Sequence, residues 1–75
     1  MEEKHNYTLQ ELFNNLPISL AELARRSTVN EVTIARIRDG KTTPMRSTAN
    51  RLLRVFSDVY EKPLTLENVE MRVRG

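Results

Sequence analysis

The stretch LAELARRSTVNEVTIARIRDG, Leu20 to Gly40, constrains this chain more than any other. Leu20, Leu23 and Ala24 follow helical spacing, and the pattern then stops near Arg26. Ser27, Thr28 and Val29 break it with neither proline nor glycine. Helical spacing resumes with Ile34 and Ile37 as a buried pair. Ser19 and Asn30 stand at the two N-cap positions, and Glu22 lies at capping-box distance from Ser19. Asp39-Gly40 ends the second segment, with Gly40 suited to the left-handed position after a helix. An element that only built core would need one continuous apolar stripe. Two short segments joined by a tight turn instead set the second helix at an angle to the first, with arginine on its open face.

The flanks read as further helices. Leu9, Leu12, Phe13 and Leu16 form an i, i+3, i+4, i+7 stripe, opened by Thr8 with Glu11 and closed by Pro17. Thr43-Pro44 opens a fourth helix with Ala49, Leu52, Leu53, Phe56 and Val59 or Tyr60 on its apolar side. Leu64, Leu66 and Val69 suit one last helical turn or two. Val69, Met71 and Val73 then alternate with Glu70, Arg72 and Arg74, the period of a strand. Such a strand needs a partner, either the same strand of a second copy or none, in which case the tail frays. Residues 1–6 are polar and expected to be loose. The expectation is an all-α, five-helix domain over residues 1–75, with residues 70–75 a tail that either dimerises or frays.

With 75 residues the chain is one domain with one small core. It has no cysteine, so neither a disulfide nor a thiolate metal site can form. His5 is the only histidine, and no glycine-rich phosphate loop appears, so neither catalysis nor a cofactor is expected. There is no run of about 20 apolar residues to span a membrane. MEEKHNYTLQ has no signal-peptide pattern. A cytoplasmic protein is expected. The net charge of +2 hides an asymmetry. From Arg25 to Arg54 there are eight bases and two acids, leaving +6, so the flanks together carry −4. Clustered base points to a polyanionic partner or to a solvated basic face.

Two short helices, a tight turn and an open second face describe a helix-turn-helix. The segment SLAELARRSTVNEVTIARIRDGK, Ser19 to Lys41, resembles the phage repressor and Cro family of DNA-binding domains. Leu23 and Ala24 match that family's first-helix core residue and small contact residue. Val29 matches its apolar turn position, Ile34 and Ile37 its second-helix core, and Asp39-Gly40-Lys41 its helix exit. The likeness extends over about residues 7–69. Two positions depart from the family. Thr28 stands where glycine is frequent, and Leu20 stands where a phosphate-gripping glutamine is frequent.

The resemblance implies a lambda-repressor-like domain in which helices two and three form the motif and the start of helix three enters the major groove. With Ile34 and Ile37 inward, Val32 and Arg36 point most nearly outward, and Glu31 and Thr33 lie at the edges. The base-contacting candidates are therefore Glu31, Val32, Thr33 and Arg36. Arg36 suits guanine O6 and N7, Val32 a thymine methyl, and Glu31 cytosine N4. Backbone-contacting candidates are Ser19, Arg25, Arg38, Lys41, Thr42, Thr43 and Arg46. Arg51 and Arg54 read as solvated helix residues or a partner-facing patch. Family members usually dimerise, and Tyr60, Leu64, Leu66, Val69, Met71 and Val73 are candidates for that surface or for core. The function implied is a bacterial or phage-encoded, nucleoid-associated regulator that binds double-stranded DNA as a homodimer on a palindromic operator and acts as a repressor. The rival is a protein-interaction module, an antitoxin or adaptor built on the same motif.

Overall fold

A computed structural model describes residues 6–75. The expectation of a loose N-terminus falls on residues 1–6, of which 1–5, including His5, lie outside the described residues. The elements run β1 (Tyr7–Thr8), α1 (Leu9–Asn14), α2 (Leu20–Ser27), α3 (Glu31–Arg38), α4 (Arg46–Tyr60) and β2 (Val69–Glu70). The architecture is predominantly helical, with four helices and a two-stranded parallel sheet among the described residues.

The helix starts follow local chemistry. Thr8 and Glu11 form a complete capping box at α1. The Ser19 hydroxyl accepts from the Glu22 amide at 3.1 Å. The Glu22 carboxylate does not reach back to complete a box, because it is held by Arg25 and Arg26. Asn30 accepts from the Val32 amide at 2.8 Å. At the end of α3, Gly40 has φ +75°. Its amide donates to Ile37 O and the Lys41 amide to Arg36 O, the two bonds of a Schellman motif.

The break between α2 and α3 is built without glycine. Thr28 takes the left-handed conformation, φ 61° and ψ 26°. Its hydroxyl donates to Ser27 O. The Ser27 side chain is buried, 4% exposed, and its hydroxyl oxygen accepts from the Val29 amide at 3.2 Å. That bond satisfies an N–H that would otherwise be buried without a partner. Val29 can then enter the core, and α3 starts in a new direction.

The core gathers Leu12 and Phe13 from α1, Leu23 from α2, Val29 from the turn, Ile34 and Ile37 from α3, and Leu52, Leu53, Val55 and Phe56 from α4. Phe13 and Phe56 meet edge to face, centroids 5.4 Å apart at 88°. Both α3 and α4 pack on α2, so α2 is the brace between them.

Three expectations are corrected. First, there is no fifth helix among the described residues. Thr65 to Val69 makes a single turn locked by its own side chains. Asn68 Oδ1 accepts from the Thr65 amide, Thr65 Oγ1 from the Glu67 amide, and Asn68 Nδ2 donates to Pro63 O. These local bonds compete with helix propagation. Second, the tail strand pairs within its own chain. β2 lies parallel to β1, with Tyr7 opposite Val69 and Thr8 opposite Glu70. Third, α4 starts at Arg46 rather than at Thr43-Pro44. Its N-cap, Met45, offers no side-chain bond, and the Arg46 amide donates instead to Arg74 O at 2.9 Å.

Candidate nucleic-acid interface

Burial of Ile34 and Ile37 fixes the rotation of α3 about its axis. Residues at about 100° steps away are thereby turned outward. Val32 is 61% exposed, an uncovered apolar side chain in the first turn of α3. Glu31 beside it is exposed, and Arg36, one turn further, is exposed as well. Arg36 has no side-chain hydrogen bond or ion pair among the described residues, so none of its five guanidinium donors is committed to another of them. Thr33 is half-buried at the edge. The structure thus brings Glu31, Val32 and Arg36 onto one open face, with Thr33 on its margin.

The remaining cations differ in how free they are. Arg25 and Arg26 share the Glu22 carboxylate, Arg26 through Nε at 2.7 Å. Arg26 first and Arg25 second hold the Glu22 carboxyl below its ordinary range. Arg38 forks onto Asp39 at 3.0 and 3.3 Å. The pair raises the Arg38 guanidinium and lowers the Asp39 carboxyl from their ordinary values, chiefly through that hydrogen bond. Arg25 and Arg38 would have to exchange a carboxylate for a phosphate. The Ser19 hydroxyl is exposed at the start of α2 and still has its own proton to donate.

Beyond α3 the loop from Lys41 to Met45 closes against the C-terminal segment. The Arg74 amide donates to Pro44 O at 2.8 Å, and Arg74 Nε donates to Thr43 O at 3.0 Å. Arg46 Nε donates to Gly75 O at 3.3 Å. Gly40, Thr42, Thr43, Pro44, Met71 and Arg72 share a cleft of about 330 Å³. Lys41 and Arg46 are exposed, while Thr42 and Thr43 are half-buried. From sequence, Arg72 and Arg74 are only the polar half of an alternating tail. That alternation is the available signal, and it does not say which loop the tail meets.

The surface expected for a second copy is smaller than the sequence suggests. Leu64 and Val69 are 3% and 4% exposed and belong to the core of the single chain. The Tyr60 hydroxyl donates to Leu12 O within the chain. Leu66, Met71 and Val73 are half-buried. Arg51 and Arg54 line a separate groove with Arg26, Ser27, Thr28 and Val55, none of them in α3.

Among the described residues no group of His, Cys, Asp or Glu could hold a metal ion, and no helix is long and apolar enough to cross a membrane. Searches of protein-family models, curated proteins and solved structures find no match to this chain.

Proposed function

We propose that this protein is a sequence-specific, double-stranded DNA-binding regulator that occupies a palindromic operator as a homodimer and represses transcription. The observation that carries the reading is the exposed face of α3. A helix anchored by two buried isoleucines displays an uncovered valine and an unpaired arginine in its first two turns. A thymine methyl and a guanine edge give both side chains a partner. The excess of base from Arg25 to Arg54 and the resemblance to the phage repressor and Cro family support the same reading. Two copies would set their α3 helices in successive major grooves about 34 Å apart.

The test is selection from a random duplex library at moderate salt, with Arg36→Ala run in parallel. Enrichment of a palindrome with half-sites one turn apart is expected. The variant should lose preference at one base pair per half-site, at a cost of about 1–3 kcal/mol. A single enriched half-site would remove the homodimer from the reading. Wild-type protein whose duplex affinity shows no salt dependence would sink the DNA reading and favour the protein-interaction module, because phosphate contacts necessarily release counterions.

A further inference from the structure

The C-terminal segment does more than close the fold. The Arg74 main chain is bonded on both sides of Met45, its amide to Pro44 O and its carbonyl to the Arg46 amide. This is a one-residue parallel bridge between Met45 and Arg74. It fixes the loop that follows α3, and that loop is itself tied to α3 through the Lys41 amide on Arg36 O at 2.8 Å. A short main-chain path therefore links Arg36, on the open face of α3, to the tail.

The side chains brought together on that path are mostly cationic. Lys41, Arg46, Arg72 and Arg74 are all exposed. Arg72 lines the same cleft as Thr42 and Thr43, and Arg74 Nε sits on Thr43 O. None of the four is in an ion pair with an Asp or Glu among the described residues, and Arg46 Nε donates to Gly75 O at 3.3 Å. Glu70 is the acid lining this cleft. Arg74 commits one of its five donors to Thr43 O, and its terminal nitrogens stay open.

We propose that Arg72 and Arg74 complete a phosphate-gripping edge that starts at Lys41 and Arg46, so that the C-terminal segment holds the sugar-phosphate strand beside the groove entered by α3. The proposal rests on the DNA reading above and adds the tail to it. The edge carries affinity without sequence information, because it meets phosphates and not bases. Guanidinium forks suit two phosphate oxygens at once. The Met45–Arg74 bridge and the Nε bond to Thr43 O set Arg74 in place before DNA arrives, so less ordering remains for it on binding.

The experiment measures duplex affinity against salt, from about 50 to 200 mM, a range over which phosphate neutralisation dominates the change. It compares the 75-residue chain with Arg72→Gln/Arg74→Gln, with Arg72→Lys/Arg74→Lys, and with Arg51→Gln/Arg54→Gln as a control outside the loop and the tail. In the glutamine pair, the slope of log affinity against log salt should become shallower by about 0.9 for each phosphate left without its cation. Affinity should fall alike for all sequences, with the preferred site unchanged. The lysine pair should restore the slope, since it keeps both charges, and the control should match wild type. If wild type shows salt-dependent binding and the glutamine pair keeps the full slope, the tail proposal falls and the DNA reading stands. If the glutamine pair loses slope but the lysine pair does not recover it, Arg72 and Arg74 act by shaping the loop and not as phosphate ligands, and the proposal is overturned. If wild type shows no salt-dependent binding, both fall together.

Discussion

At Thr28 a single residue decides the angle between α2 and α3. A β-branched side chain is held at φ 61°, where the left-handed region costs a non-glycine residue about 1–2 kcal/mol. The Thr28 hydroxyl bond to Ser27 O and the buried Ser27 bond to the Val29 amide offset part of that cost. Glycine would adopt the same conformation freely and lose more chain entropy on folding, about 0.5–1 kcal/mol. Thr28→Gly is therefore expected to stabilise the fold by a few tenths to about 1 kcal/mol, with the thermal midpoint rising by no more than about 8 °C. Thermal unfolding followed by circular dichroism checks this, and a lower midpoint would mean that threonine's own bonds outweigh its backbone strain. Since Thr28 is outside the exposed face of α3, duplex affinity should be unchanged.

Helix α4 and the segment after it illustrate what was legible in the sequence. The apolar spacing of Ala49, Leu52, Leu53 and Phe56 sufficed to place α4, and Thr8, Ser19 and Asn30 marked the starts of the three shorter helices, because those signals are local. The start of α4 was not legible, since its first amide is satisfied by Arg74, 28 residues away. The partner of β2 was equally hidden, because Tyr7–Thr8 is too short to show any alternation. The open face of α3 followed from Ile34 and Ile37 alone, whereas the meeting of Arg72 and Arg74 with the loop required the tertiary fold. The corner between α4 and β2 depends on one side chain. Ser57 Oγ donates to Leu64 O at 3.1 Å and accepts from the Leu64 amide at 2.9 Å. That places Leu64 in the core and directs the chain toward β1. Ser57→Ala leaves both main-chain groups in a part-buried site without their partner, and a loss of about 1–3 kcal/mol is expected. Urea denaturation measures it, and the Tyr7 amide, which donates to Asn68 O, should exchange faster with solvent. A midpoint and exchange rate equal to wild type would show that Pro63 and the Asn68 turn hold the corner unaided.

Over the whole molecule, closure joins the two ends of the described chain. Tyr7–Thr8 pairs with Val69–Glu70, and Tyr60 at the end of α4 reaches back to Leu12 O in α1. With so small a core, these long-range bonds couple α1 to the rest, so removing one should be felt as a loss of global stability. Tyr60 also makes that coupling sensitive to pH. Burial of the phenol pushes its pKa above the ordinary value near 10, and ionisation would remove the proton it donates to Leu12 O. In the window between the ordinary and the raised value, the unfolded chain has released a proton that the folded chain still holds. The unfolded state then binds fewer protons, so stability falls as pH rises through that window and is unaffected by this group below it. Tyr60→Phe deletes both the bond and the titration. At neutral pH the variant should be less stable than wild type by about 0.5–1.5 kcal/mol, the net worth of one hydrogen bond. Above about pH 10 the wild type should lose that advantage, and the two stability curves should converge. Urea denaturation from about pH 7 to 11 tests it, a range that brackets the ordinary tyrosine value. A difference between the two proteins that stays constant across that range would show that the Tyr60 hydroxyl ionises alike in the folded and unfolded chain, and that its burial does not link the closure of α1 on α4 to pH.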